Sequence, residues 1–260
     1  CPVEAVDTFN EGLSSRGAIF VEYPQAVPLK YMIDREKCIG CGTCYEICRA
    51  NAIQYDQKDS ETTLKVGSII LAPGFESFNA KLKSEYGYGR FANVVTSIEF
   101  ERILSASGPY GGLVLRPSDG EIPQRVAFIQ CVGSRDVDKY EYCSGFCCMF
   151  TLKHAVMLKE KYKDQVELSV LNTDIRSSFK GYEEFYNRAQ KVGVHFIRVK
   201  LKNRRITENP ETKNLTVYAE TEEDKPIEIE AEMVVLANAS IPTSTTKELA
   251  NMLNIPLGKD

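Results

Sequence analysis

The sequence predicts an α/β chain in which a cysteine-rich α+β unit precedes a small parallel sheet. Residues 125–199 alternate apolar β-prone runs with stretches of helical spacing, the pattern of βαβ units. Residues 38–48 read CIGCGTCYEIC, a metal-ligand spacing, and between the two regions an apolar run ends in a small-residue turn.

With 260 residues, 43 % of them hydrophobic, the chain can bury one large core or two smaller ones. A net charge of −4, from 32 basic and 36 acidic residues, creates no field that favours nucleic acid or an anionic membrane. No apolar run approaches the roughly 18 residues of a spanning helix, and the start carries no signal-peptide pattern. Nine cysteines in two clusters favour metal over a disulfide framework. Available thiolates suit a reducing compartment, so the expected location is the cytoplasm. The first residues are Cys1-Pro2 rather than Met, which predicts a processed start or a piece of a longer chain.

The motif over residues 38–48 is C-x2-C-x2-C-x3-C, with Cys38, Cys41, Cys44 and Cys48 as its sulfurs. In this arrangement the first three cysteines bind one [4Fe–4S] cluster and the fourth reaches toward a second. Structural zinc prefers two C-x2-C pairs separated by a longer loop, so the iron–sulfur reading is preferred. Gly40 and Gly42 let the backbone wrap the inorganic core. CPVEAV at residues 1–6 looks like the end of a preceding ferredoxin motif, so Cys1 is expected to complete the cluster of Cys38, Cys41 and Cys44. Cys48 then serves a second cluster whose other ligands lie upstream. Arg49 stands where the motif usually has proline. The long stretch between Cys1 and Cys38 is accounted for by GAIFVEY and LKYMID, which are expected to pair as an insertion hairpin.

Next, Val66–Leu71 reads as a buried strand running into Ala72-Pro73-Gly74, as where flavoproteins with two dinucleotide-binding domains return to the flavin-binding sheet. SIEFERILSAS (97–107) has helical spacing with Ser97 as N-cap, and residues 108–123 are loop. From Arg125 the order is strand (RVAFIQ), helix (about 145–162), strand (VELSVLN), helix (about 178–192) and strand (VHFIRV). Residues 204–230 supply short antiparallel strands, with AETEEDKPIEIE as a solvated hairpin. AEMVVLANASIP closes the sheet and TKELANMLNIPL carries a short helix.

GYGRFA (87–92) follows no apolar strand and is rejected as a nucleotide fingerprint. The turn after RVAFIQ is where G-x-G-x-x-G would cradle a nicotinamide cofactor, and CVGSRD has one glycine, which argues against that cofactor. Cysteines fill the turn instead: Cys131, Cys143, Cys147 and Cys148, spaced C-x11-C-x3-C-C. The first stands at a strand end and the others at or near a helix start, where N–H groups and the helix dipole favour thiolates and an anionic cluster. A second iron–sulfur cluster fits, with buried or redox-active thiols as the alternative. Lys153 and His154 follow on that helix; His154 and His195 read as packed or hydrogen-bonded groups, and Arg135 and Arg176 as surface arginines within reach of a cluster.

With CPVEAVDTFNEGL, YPQAVPLKYMID, CIGCGTCYEIC, IILAPGFESF, FIQCVGSRD and YCSGFCCMFTLKHA in this order, the chain resembles the iron–sulfur flavoprotein A subunit of heterodisulfide reductase over nearly its full length. The resemblance implies a thioredoxin-reductase-like module with two dinucleotide-binding domains, an α/β fold carrying FAD, with a ferredoxin-like α+β domain inserted. Residues 1–60 would be the inserted domain, 61–124 the return segment to the FAD domain, 125–240 an NAD(P)-domain-like βαβ unit and 241–260 the start of the return to the FAD domain. It implies an unusual [4Fe–4S] cluster on Cys131, Cys143, Cys147 and Cys148, FAD contacts at Ala72, Pro73, Gly74 and Lys153, and Lys153 near flavin N5, where a cation stabilises anionic reduced flavin. The implied partners are B- and C-like subunits that reduce a disulfide, a hydrogenase- or formate-dehydrogenase-type donor, ferredoxin, and a second copy in a homodimer within a larger complex. The implied activity is flavin-based electron bifurcation. The glycine-rich FAD fingerprint is missing, so the chain is expected to be part of a longer subunit. Two other readings remain: a polyferredoxin-like relay without its own flavin, and a pyridine-nucleotide oxidoreductase like the glutamate synthase small subunit, which the CVGSRD turn argues against.

Overall fold

The computed structural model describes residues 1–258, which form two compact units, one over Cys1–Ala72 and one from Pro73 onward.

The first unit pairs β1 (Ala5–Val6) with β2 (Ser15–Arg16) and β3 (Ile19–Phe20) with β4 (Met32–Ile33), both antiparallel, followed by one helical turn, α1 (Thr43–Ile47). The β3–β4 pair is the expected insertion hairpin. Arg16 ties the hairpins together, bonding Asp34 at 3.0 Å while its guanidinium lies 3.6 Å from the Phe20 ring centre. Only Ala5, Asn10 and Ala18 are buried among residues 1–72. So small a core does not hold a unit of this size without a metal or similar staple.

The buried strand expected over Val66–Leu71 is not formed. The segment has no hydrogen-bonded neighbour among the described residues, and Ile70 is 92 % exposed. A strand needs a sheet to join, and apolar content alone does not supply one.

In the second unit β5 (Phe75–Ser77) leads through two 3₁₀ turns to β6 (Val94–Thr96) and α2 (Ser97–Leu104). Thr96, not Ser97, caps α2: its Oγ1 accepts the Glu99 N–H at 3.3 Å while Glu99 Oε2 accepts the Thr96 N–H at 2.6 Å. Then come β7 (Arg125–Val132), α3 (Cys147–Tyr162), β8 (Glu167–Asn172), α4 (Tyr182–Lys191) and β9 (Val194–Arg198). The antiparallel β10 (Arg205–Glu208), β11 (Leu215–Glu220) and β12 (Pro226–Ala231) follow, then β13 (Met233–Asn238), β14 (Ser240–Pro242) and α5 (Thr246–Leu253).

A five-stranded, all-parallel sheet in the order β6-β13-β7-β8-β9 forms the centre. β7 is buried from Val126 to Val132, as a near-continuous apolar run in a parallel sheet requires. Strand alternation sends Ala127 and Ile129 toward Leu215, Val217 and Ala231 of the antiparallel layer, and Phe128 against Phe100 of α2. The sheet therefore lies between helices and a three-stranded meander. β14 pairs with β5, returning the chain to the start of this unit.

The expected boundaries shift accordingly. The first unit ends at Ala72 rather than residue 60, and β6 and α2, expected in the 61–124 return segment, belong to the parallel-sheet unit. Of the expected 241–260 segment, residues 259–260 lie outside the described residues.

Candidate iron–sulfur and flavin sites

Cys1, Cys38, Cys41 and Cys44 line a single cavity with Ala18, Ile33 and Tyr55. Gly40 and Gly42, both at positive φ (69° and 74°), carry the chain around it. Gly17 brings the hairpin close to Cys1; a Cβ there would lie 3.2 Å from that of Cys1. Thr43 Oγ1 donates to Cys41 Sγ at 3.4 Å and holds that thiol below its ordinary range. Tyr55 Oη lies 3.2 Å from Cys44 Sγ, a contact that pushes the phenol up to about 12. Among the described residues no three His, Cys, Asp or Glu side chains converge on a single-ion site. Four thiols ringing one cavity are a donor set that could hold a [4Fe–4S] cluster. Cys48 stands apart, its Sγ accepting the Ala52 N–H at 3.3 Å. The structure thus brings the four cysteines expected to share one cluster around one cavity, and Cys48 does not line it.

The second set lies at the carboxyl edge of the parallel sheet. Cys131 interrupts β7 with φ at 60°, and the pairing of β7 with β13 slips there, between Leu236 and Asn238. Cys147 and Cys148 are the first two residues of α3, whose N-cap, Phe146, offers no side-chain bond. Opening N–H groups without a side-chain cap favour an anion at the head of the helix. The two adjacent thiols share a proton unequally, which moves Cys148 down to about 7, with the Arg176 N–H assisting, and moves Cys147 up. Burial pushes Cys131 up, Cys148 adds to this, and Arg135 and Arg204 oppose it. Arg135 is itself paired with Asp174, and Asp174 with Arg176 at 3.3 Å. Cys131 at the end of β7 and Cys147 and Cys148 at the head of α3, with Cys143 in the loop between, are four thiols that could serve as donors to an anionic cluster.

A third feature was not legible in the sequence. Glu101 of α2 receives Lys153 Nζ at 2.7 and 2.9 Å and faces His154 Nε2 at 2.6 Å. His154 is 1 % exposed, and burial lowers its pKa more than Glu101 raises it, so the ring is neutral and donates from Nε2. The His154 bond, with Lys153 assisting against burial, holds Glu101 at about 2. Glu101 and His154 line a cavity with Phe75, Phe150 and Asn238. His154 Nδ1 and Asn238 Oδ1 are buried there without a partner, and an aromatic wall beside unpaired polar atoms suits a flat heterocycle such as a flavin. Lys153 reaches this cavity only through Glu101. Pro73 and Gly74 do not line it, Phe75 and Ser77 do, and Ala72 is exposed.

Residues 31–54 match the model of the 4Fe-4S binding domain. Over its whole length the chain is 50 % identical to the iron-sulfur A subunit of the CoB-CoM heterodisulfide reductase of Methanocaldococcus jannaschii, covering 40 % of that protein. It is 48 % identical, again over the whole chain and 40 % of the relative, to the A subunit of the H2/formate:CoB-CoM heterodisulfide,ferredoxin reductase of Methanococcus maripaludis. The chain belongs to the family of heterodisulfide reductase A subunits. It spans about 40 % of the length of these relatives. Among solved structures, a 2-naphthoyl-CoA reductase complex aligns with a TM-score of 0.38 at 16 % identity, over 68 % of this chain and 20 % of that one. No described helix is long and apolar enough to cross a membrane.

Proposed function

We propose that this chain is the electron-transfer part of an iron–sulfur flavoprotein subunit in a heterodisulfide-reductase-like complex. The observation that carries the reading is the cysteine set at the end of β7. There, a dinucleotide-binding sheet would place a phosphate turn, and this chain places Cys131 with Cys147 and Cys148. Two thiol sets in one chain are a pair of one-electron sites.

Cys1, Cys38, Cys41 and Cys44 hold one [4Fe–4S] cluster in this reading, Cys48 ligates a second ferredoxin-type cluster, and Cys131, Cys143, Cys147 and Cys148 hold the unusual one. FAD, when bound, accepts electron pairs and releases them singly. Lys153 supplies a cation at the rim of the flavin cavity, and Glu101 holds that cation in place. His154 keeps its proton on Nε2 and offers Nδ1 as an acceptor to the ligand. The ferredoxin-like unit is an insertion in the flavoprotein module, and Ala72-Pro73-Gly74 marks the return to the flavin domain. Electrons pass between a hydrogenase- or formate-dehydrogenase-type donor, FAD, ferredoxin and a disulfide-reducing B/C pair, with bifurcation at the flavin, in a cytoplasmic complex built on a homodimer.

The test is to purify the protein anaerobically with its partners and follow the flavin spectrum on adding the donor's substrate. Stoichiometric FAD that bleaches, with ferredoxin and a disulfide both reduced, supports the proposal. Clusters without flavin would favour the relay reading.

A further inference from the structure

Gln130 directly precedes Cys131 in β7, and its side chain is fully buried with neither Nε2 nor Oε1 hydrogen-bonded. A buried carboxamide is among the costlier groups to leave unpaired, so an orphaned one points to a partner of another kind. Its backbone carbonyl is occupied, accepting Arg204 Nη1 at 2.7 Å, so the unmet bonding belongs to the side chain alone.

Strand alternation puts Gln130 on the same face as Phe128, the face on which Phe100 packs at 5.7 Å and carries the contact on to His154 of α3 at 5.4 Å. That face is the helix layer. Cys147 and Cys148 stand on it too, packed with Ala237 of β13, the strand beside β7. Thr151, one helical turn beyond Cys147, is buried with an unpartnered Oγ1. Two orphaned donors therefore stand on the helix-facing side, one on β7 directly before Cys131 and one on α3 a turn beyond Cys147.

We propose that Gln130 Nε2 donates a hydrogen bond to a sulfur of the cluster bound by Cys131, Cys143, Cys147 and Cys148, and so raises its reduction potential. The inference rests on the cluster assignment made above. Adding an electron makes the cluster more negative, and a donor aimed at its sulfur stabilises that charge more in the reduced state. Gln130 is a positioning residue for charge and touches no substrate.

The experiment is a redox titration by EPR of the anaerobically prepared, cluster-loaded protein, comparing wild type, Gln130→Leu and Cys148→Ala, with iron counted in each. Cys148→Ala identifies the signal; if it removes neither iron nor a signal, the cluster assignment fails and the Gln130 role with it. If the assignment holds, Gln130→Leu should keep its iron and bias that cluster about tenfold toward the oxidised form at fixed potential, about 59 mV for one electron. An unchanged midpoint with full iron content overturns the Gln130 role alone. Should Gln130→Leu lose iron, wild-type protein labelled with ¹⁵N in its glutamine side chains decides the matter by pulsed EPR: a ¹⁵N coupling to that cluster supports the bond, and its absence overturns it.

Discussion

His154 Nε2 lies 2.6 Å from Glu101 Oε2, joining the buried face of α3 to α2. Both groups have folded-state pKa values below their ordinary ones, so their contribution to stability is complete above those ordinary values and is lost as pH falls. The histidine part goes first, below about 6.5, and the glutamate part between about 4.5 and about 2. The apparent Tm should therefore drop between about pH 7.5 and about pH 5.5, and a flat profile would contradict a neutral, buried His154. Glu101→Gln should cost about 1–2 kcal/mol at neutral pH, read by denaturant unfolding, because the carboxylate is partly exposed and its bonds are partly screened.

Residues 1–72 bury little beyond Ala5, Asn10 and Ala18, which leaves a bound cluster to serve as the core of that unit. Removing iron by chelation should make this segment protease-sensitive while the parallel-sheet unit stays resistant. Equal protection of both units in iron-free protein would show that the hairpins fold without metal.

Tyr55 is the test of the first cluster's surroundings. A metal-bound Cys44 sulfur can only accept, so the Tyr55 hydroxyl must be the donor across the 3.2 Å contact. Tyr55→Phe should retain the iron and make this cluster's midpoint more negative. An unaltered midpoint would remove the bond from the holoprotein.

Gly133 follows the Cys131 turn at φ 84°, and a Cβ there would come within 2.4 Å of the Phe78 ring. Gly133→Ala combines backbone strain with overpacking and should destabilise the second unit by about 2–4 kcal/mol, with loss of iron from the Cys131 group. Wild-type stability and iron content in this variant would mean the turn adapts freely.

The βαβ order, the insertion hairpin and the grouping of cysteines were legible because each rests on local periodicity or spacing: RVAFIQ became β7, and C-x2-C-x2-C set three thiols around one cavity. The strand expected at Val66–Leu71 failed because apolar content does not specify a pairing partner. Thr96 displaced Ser97 as cap because two neighbouring hydroxyl residues compete and only the one three positions before Glu99 completes the box. Glu101 and Tyr55 carry no local signal because their meaning depends on contacts with residues 53 and 11 positions away, set by folding alone. The sequence marks His154 as an ordinary packed or hydrogen-bonded histidine; only the fold reveals its Glu101 partner and its free Nδ1.

Iron and acid-labile sulfide per chain, measured on anaerobically prepared wild-type protein and on Cys148→Ala, test the two-centre account most directly. The account predicts about eight or more irons per wild-type chain and about four fewer in the variant, with the ferredoxin-type signal intact. About four irons in both proteins would contradict it and leave Cys131, Cys143, Cys147 and Cys148 as structural thiols.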